Sequence, residues 1–107
     1  MPQRRPRVVI VDDSAVALRS MCSVVEALVG HEIVGAATRA IAGLALAETL
    51  QPDLVLLDLK MPCLSGTEIA ARLTPQFPAM RVIIVSVYDS AETRQLARLS
   101  GAHGFIG

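Results

Sequence analysis

Three short apolar runs, each associated with a terminal polar residue, limit the possible folds of this chain more than any other feature. They span residues 7–11, 53–58 and 81–86, and their polar ends are Asp12, Asp58 and Ser86. Runs this rich in Val, Ile and Leu are typical of strands buried on both faces of a parallel sheet. The sequence therefore predicts a central parallel sheet.

Helical patterns separate these runs. After the first run, Leu18, Met21, Val25 and Leu28 recur at helical spacing, with Ser14 as a suitable N-cap. A weaker strand is predicted over 32–37, followed by a second helix that is supported by Ile41, Leu44, Ala45 and Leu50. A third helix begins at the capping box of Ser65 and Glu68 and ends before Pro75. The last predicted elements are a fourth helix over 91–100 and a fifth strand over 103–106.

The regular alternation of strand and helix indicates βαβ units and a parallel sheet covered by helices. The most apolar strands belong in its centre, which favours the doubly wound order 2-1-3-4-5 with the weaker strands at the edges. We therefore predict a flavodoxin-like α/β fold with a five-stranded parallel sheet.

Composition narrows the class of protein. A length of 107 residues and an apolar content of 52% predict one packed domain, and a formal net charge of zero gives no indication of a nucleic-acid partner. Residues 1–6 are interpreted as a basic N-terminal tail. Because no apolar run reaches the ~18 residues of a membrane span and no secretory signal is recognisable, we expect a cytoplasmic protein without a membrane partner.

Carboxylates follow two neighbouring strands of the predicted sheet. Asp12 and Asp13 come after the first strand, and Asp58 ends the third. In this strand order the carboxyl ends of both strands meet at the switch point where ligands bind. Clustered carboxylates repel unless a cation is present, and a set of hard oxygen ligands favours Mg²⁺ over zinc. The sequence therefore predicts a magnesium site.

An aspartate beside magnesium can attack a phosphoryl group and form an acyl phosphate. Asp58 is the best candidate nucleophile because it stands alone at the end of the central strand, whereas Asp12 and Asp13 suit a pair of metal ligands. Ser86, at the end of the next strand, can donate a hydrogen bond to a phosphoryl oxygen.

These motifs resemble the receiver domain of two-component response regulators. The segments VVIVDDS, PDLVLLDLKMP, SGTE, VIIVS and GAHGFI occur in the order and spacing of that family, and the resemblance covers nearly all of residues 7–107. Ser86 followed by Val87, together with the GAHGFI ending, is most similar to the nitrate-response NarL/FixJ-type subfamily of transcription regulators.

The resemblance implies a role for each matching residue. Asp13 and Asp58 would bind Mg²⁺ directly, Asp12 would bind it through a water, and Lys60 would contribute its backbone carbonyl. Asp58 would accept the phosphoryl group from a sensor histidine kinase.

The resemblance also implies how the signal leaves the site. Ser86 would be the hydroxyl switch and Phe105 the aromatic switch, so that phosphorylation changes the surface around the fourth helix and fifth strand. The output would be transcription regulation through a DNA-binding domain in the full-length protein, and the receiver itself would not be a metabolic enzyme.

The match stops before the end of the family's pattern. The family places a lysine two residues after the position of Ile106, followed by a fifth helix, and the sequence ends at Gly107. We interpret the sequence as a C-terminally truncated receiver, without its fifth helix or an output domain. On that interpretation we expect self-association, through the uncovered sheet face or through the region of the fourth helix and fifth strand.

Two alternatives remain open. A pseudo-receiver would use the same fold as a phosphorylation-independent dimerisation or docking module. A magnesium-dependent hydrolase with an aspartyl-phosphate intermediate is disfavoured, because such enzymes usually place an acid two residues after the nucleophile, where this chain has Lys60. We otherwise interpret Lys60 as an exposed loop residue with a possible effect on phosphoryl lifetime, and Tyr88 either as a gate for water or as an exposed loop residue.

Overall fold

The computed structural model describes residues 5–28 and 30–107. The strands are Arg7–Val11 (β1), Glu32–Ala37 (β2), Leu54–Asp58 (β3), Arg81–Val85 (β4) and Gly104–Ile106 (β5). The helices are Ala15–Ala27 (α1), Ala40–Leu50 (α2), Gly66–Gln76 (α3) and Ala91–Leu99 (α4).

The five strands form one parallel sheet in the order β2-β1-β3-β4-β5, which confirms the predicted topology. The inner strand β1 pairs with β2 on one side and with the central strand β3 on the other. Its residues Val8 to Val11 are completely buried, as expected for a strand covered on both faces. The early apolar run therefore forms the middle of the core.

Alternation along the strands divides the core between the two faces of the sheet. Val8 and Ile10 pack with Val25 of α1 on one face, whereas Val9 and Val11 pack with α2 and α3 on the other. On that second face Ile84 of β4 forms a smaller cluster with Leu59 and with Ala97 of α4. The predicted self-association through an uncovered face stays a prediction.

The chain before β1 is partly held by the sheet edge. Residues 1–4 of the predicted basic tail 1–6 lie outside the described residues. The Arg5 guanidinium donates to the carbonyl of His31 at 3.0 Å, and the backbone N–H of Glu32 donates to the carbonyl of Pro6 at 2.9 Å. Residues 5 and 6 therefore contact the start of β2.

Predicted caps are confirmed at two helix starts. The Ser14 side chain accepts a hydrogen bond from the backbone N–H of Ala17 at the start of α1. Ser65 and Glu68 form the reciprocal capping box at the start of α3. These caps satisfy N–H groups that have no partner within the helix.

The predicted end of the third helix before Pro75 is wrong, because α3 includes that residue. A proline costs most in the middle of a helix, where its missing N–H and its ring disrupt the turn before it. Only Gln76 follows Pro75 in α3, and the Phe77 N–H still closes the helix on the carbonyl of Leu73 at 2.9 Å.

Two predicted helical stripes are partly wrong. α1 ends at Ala27, and the extended backbone of Leu28 takes that side chain out of the stripe, so that it is 49% exposed. In α2, Ile41 is 60% exposed. The buried positions of α2 are Ala40, Gly43, Leu44 and Ala47. Small residues dominate this buried face because α2 lies very close to β1.

No helix in the described part of the chain has the combination of length and apolar character that crossing a bilayer requires.

The close approach of α2 to β1 predicts the effect of Gly43→Ala. A Cβ at Gly43 would overlap the side chain of Val11, which is completely buried and has no room to move. We expect a loss of about 1–3 kcal/mol in the free energy of unfolding, measured by urea denaturation, although alanine is the better helix former.

Gly35→Ala is the matched control. A Cβ at Gly35 would lie 3.3 Å from the end of the Leu50 side chain, which can shift, so we expect a change within about 1 kcal/mol. Equal or higher stability of Gly43→Ala would contradict the proposed packing of α2 on β1.

Candidate functional site

Four polar residues lie at the carboxyl edge of the sheet, where β1, β3 and β4 end. Asp12 and Asp13 directly follow β1, and Asp58 is the last residue of β3. Asp58 pairs in register with Val85 of β4, so Ser86 follows directly on the neighbouring strand. The adjacency of β1, β3 and β4 places these residues at the expected switch point.

The structure brings the three aspartates together. One carboxylate oxygen from each of Asp12, Asp13 and Asp58 lies within 4.8 Å of the other two. Asp12 is 7% exposed, Asp58 is half-buried and Asp13 faces solvent. The cluster therefore has an open side next to Asp13 and a shielded side next to Asp12.

Burial and mutual repulsion perturb two of these carboxyl groups. Burial raises the pKa of Asp58 to about 6, with further increases from the charges of Asp12 and Asp13 and from a hydrogen bond with Asp13, while the Leu59 N–H opposes them. Burial also raises the pKa of Asp12, although its Oδ1 accepts a hydrogen bond from the Ser14 N–H at 2.9 Å. The site therefore disfavours simultaneous ionisation of its carboxyl groups.

A divalent cation fits this donor set. Three carboxylates supply hard oxygen ligands within a few ångströms, which Mg²⁺ prefers, and the opening near Asp13 leaves room for retained waters. A cation would also offset the repulsion that raises the pKa of Asp58. The ligand role of the Lys60 carbonyl stays a prediction.

Ser86 lies beside the cluster in an ordered setting. It is 5% exposed, its backbone N–H donates to the carbonyl of Ile106 at 2.9 Å, and its Oγ accepts the N–H of Tyr88 at 2.9 Å. The hydroxyl is thus placed by the start of the β4–α4 loop, while the backbone of Ser86 connects β4 to β5.

Gly66 sets the position of α3 relative to Asp58. Its N–H donates to the carbonyl of Leu59 at 2.9 Å, and a Cβ at this position would overlap the carbonyl oxygen of Asp58. Glycine is therefore required for the first turn of α3 to approach the end of β3 so closely.

Phe105 lies on the opposite side of β4 from Asp58 along the sheet. Its half-buried ring packs against the cluster of Leu59, Ile84 and Ala97. The guanidinium of Arg94 lies 4.9 Å from the centroid of this ring and is bound to both carboxylate oxygens of Asp89, at 2.6 and 2.9 Å. The predicted switching of Phe105 stays a prediction.

The sequence analysis missed the cationic contacts of this region. Besides Arg94 on Phe105, the Lys60 ammonium lies 4.1 Å from the centroid of the Tyr88 ring. Lys60 and Tyr88 are both exposed, as the interpretation of each as a loop residue expected. Their contact depends on the pairing of β3 with β4, so no local sequence signal could have indicated it.

Comparisons with known proteins find relatives of this chain. The sequence profile described as "Response regulator receiver domain" matches residues 8–107. The chain is 30% identical over 104 residues to the nitrate/nitrite response regulator protein NarL of Escherichia coli strain K12, covering 97% of this chain and 48% of that protein. It is also 34% identical over 103 residues to protein-glutamate methylesterase/protein-glutamine glutaminase 3 of Geobacter sulfurreducens, covering 96% of this chain and 28% of that protein.

A solved structure gives the same picture of the fold. The signal receiver domain of the response regulator NarL from Mycobacterium tuberculosis superposes with a TM-score of 0.90 at 28% identity, covering 97% of this chain and 84% of that chain. The sequence matches to longer relatives thus concern one part of each: this chain spans about half the length of the E. coli protein and about a quarter of the Geobacter protein.

The raised pKa of Asp58 predicts a pH-dependent effect of Asp58→Asn in metal-free buffer. A carboxyl group with a folded pKa near 6 and an unfolded pKa near 3.9 stabilises the fold below about pH 4, and this contribution is lost as the pH rises through 6. At pH 7.5 we expect the neutral asparagine to raise the free energy of unfolding by about 1–2 kcal/mol, after allowance for solvent screening of a half-buried group. The difference should vanish near pH 4.

Asp89→Asn is the control with the opposite sign. The Arg94 guanidinium lowers the pKa of Asp89, so this exposed carboxylate stabilises the fold at neutral pH and loses its contribution in acid. Thermal unfolding of both variants from pH 4 to 8 makes the comparison. An Asp58→Asn protein that is less stable than the wild type at pH 7.5 would contradict the repulsion between the carboxylates.

Proposed function

Since this chain belongs to the response regulator receiver domain family, we propose that it is a phosphorylation-controlled signalling switch. Its Asp58 accepts a phosphoryl group from the phosphohistidine of a sensor histidine kinase. The observation that carries this proposal is the cluster of Asp12, Asp13 and Asp58 at the carboxyl edge of the sheet.

Asp58 has the position and environment of the acceptor. It ends the strand that lies between β1 and β4, so the other two carboxylates flank it on one side and Ser86 on the other. A carboxylate oxygen of Asp58 attacks the phosphorus, and the P–N bond of the phosphohistidine breaks. The electron pair of that bond stays on the imidazole nitrogen, which takes up a proton, and Asp58 becomes an acyl phosphate.

Asp13 and Asp58 would hold Mg²⁺ directly, Asp12 would hold it through a water, and the backbone carbonyl of Lys60 would complete the protein ligands. When bound, magnesium offsets the negative charge that the carboxylates and phosphoryl oxygens bring together. Asp12 suits the water-mediated role because it is the most buried of the three and its Oδ1 is already engaged by the Ser14 N–H.

The added charge on Asp58 changes the surface around α4 and β5. The Ser86 hydroxyl donates to a phosphoryl oxygen and moves the start of the β4–α4 loop. Phe105 packs against Ala97 of α4, so a change in its ring orientation alters how α4 lies on β5. The bidentate contact of Arg94 with Asp89 connects the same loop to the Phe105 ring.

The output of this switch is transcription regulation in the cytoplasm, through a DNA-binding domain of the full-length protein. The similarity to the nitrate/nitrite response regulator supports this assignment. A methylesterase relative shares the receiver match as well, so the receiver alone does not fix the type of output domain. In this proposal the chain itself is not a metabolic enzyme.

The magnesium site predicts metal-dependent stability. Millimolar Mg²⁺ should raise the midpoint of thermal unfolding because the cation binds the folded cluster and relieves its repulsion. Asp13→Asn should weaken this increase by removing a direct ligand, and Asp89→Asn should leave it unchanged. An equal response of the wild type and Asp13→Asn would contradict the assigned ligand.

The acceptor role predicts a covalent adduct at one residue. Incubation of the full-length protein with acetyl phosphate and Mg²⁺ should add one phosphoryl group to the wild type, detected by intact mass, and Asp58→Asn should abolish the addition. Asp53→Asn is the matched control at the opposite end of β3, where the Asp53 carboxylate accepts the backbone N–H of Arg7. Equal labelling of Asp58→Asn would overturn the assignment, and no labelling of any variant would favour a phosphorylation-independent docking module.

A further inference from the structure

A side-chain contact joins the loop after β3 to the loop after β4. The ammonium nitrogen of Lys60 lies 4.1 Å from the centroid of the Tyr88 ring, a distance at which a cation is attracted to an aromatic face. Lys60 comes two residues after Asp58, and Tyr88 comes two residues after Ser86. The contact therefore connects the segments that carry the proposed acceptor and the proposed hydroxyl switch.

Tyr88 is also bound to Ser86 through its backbone. The Tyr88 N–H donates to Ser86 Oγ at 2.9 Å, so the placement of Tyr88 fixes a donor beside the Ser86 hydroxyl. Ser86 is 5% exposed, whereas Tyr88 is 52% exposed. Because about half of the Tyr88 side chain is exposed, the cation adds to the attraction that holds the ring at the surface.

Lys60 is suited to a contact that can be exchanged. It is the only lysine in the sequence, its side chain is exposed, and a lysine ammonium is carried on a flexible four-carbon stem. A phosphoryl group on Asp58 would bring up to two negative charges close to the backbone of Lys60. A compact ammonium is attracted more strongly to such an anion than to a half-exposed ring.

We propose that Lys60 is a positioning residue that acts through Tyr88 on Ser86. In the unmodified chain the ammonium holds the Tyr88 ring, and the Tyr88 N–H holds the Ser86 oxygen. When Asp58 carries a phosphoryl group, Lys60 turns to it, Tyr88 is released, and the Ser86 side chain is free to reorient so that its hydroxyl donates to a phosphoryl oxygen. This exchange rests on the proposed function, whereas the holding of Ser86 in the unmodified chain does not.

The first experiment tests the unmodified chain. Exchange of the Tyr88 amide proton with water is measured by NMR in the wild type and in Lys60→Gln, Lys60→Arg and Arg98→Gln. We expect exchange about two- to fivefold faster in Lys60→Gln, as the loss of an exposed cation–π contact implies. Lys60→Arg should resemble the wild type because a guanidinium also stacks on a ring, and Arg98→Gln removes an exposed cation of α4 elsewhere on the surface.

The Ser86 amide is the internal reference, because its hydrogen bond to Ile106 belongs to the sheet and not to the loop. Faster exchange at Tyr88 with unchanged exchange at Ser86 supports the positioning role. Unchanged exchange at Tyr88 in Lys60→Gln, or equal acceleration in Arg98→Gln, would overturn it.

The second experiment loads the site with beryllofluoride and Mg²⁺. Bound fluoride is followed by ¹⁹F NMR, and Tyr88 is followed by its fluorescence, since the sequence has one tyrosine and no tryptophan. Loading should move the fluorescence and the amide exchange of the wild type toward those of unloaded Lys60→Gln. If the wild type binds beryllofluoride and the fluorescence and amide exchange of Tyr88 stay unchanged, the proposed move of Lys60 from the Tyr88 ring to the phosphoryl group is overturned. Failure to bind beryllofluoride at all would instead contradict the phosphoacceptor function, and the first experiment would still decide the positioning role.

Discussion

The parallel pairing of β1 with β3 is the constraint on which the rest of this structure depends. Because the two strands run in register from Val8 and Leu54, their last residues reach the same edge of the sheet and bring Asp12, Asp13 and Asp58 within 4.8 Å of one another. The helices that cover the two faces leave this edge open. Burial of the apolar residues Val8 to Val11 of β1 thus holds together charged groups that repel one another.

Repulsion within the carboxylate cluster lowers the free energy of unfolding that apolar packing in the core supplies. Apolar packing around β1 holds the carboxylates together, although burial and mutual repulsion raise the pKa of Asp58 to about 6. Gly66 is a second local constraint at this site, because only a residue without a side chain lets α3 begin against the carbonyl of Asp58. A cation bound in this cluster would offset the repulsion between its carboxylates.

The loops after β3 and β4 connect this charge to a distant surface. Ser86 Oγ accepts a hydrogen bond from the Tyr88 N–H, and the Tyr88 ring contacts the ammonium of Lys60. The residue after Tyr88 is Asp89, which binds Arg94, and the Arg94 guanidinium lies over Phe105 on β5. Most of the side chains in these contacts are exposed, and in the proposed mechanism a new charge at the sheet edge rearranges them without disturbing the apolar core.

The sequence by itself determined the strand order, the helix caps and the meeting of the three aspartates. β-branched runs, the capping residues Ser14 and Ser65, and polar residues after strands are local signals, and the rules of parallel sheets convert them into a topology. Only the tertiary structure decided which side of α2 is buried. The side that faces Val11 of β1 carries Gly43, which has no side chain to overlap it, whereas Ile41 lies on the exposed side. The tertiary structure also decided the contact of Lys60 with Tyr88 and that of Arg94 with Phe105, since both join segments that are distant in sequence and adjacent only after β4 has paired with its neighbours. Local periodicity carries no information about such contacts, because their energy arises between side chains that the folded sheet first brings together.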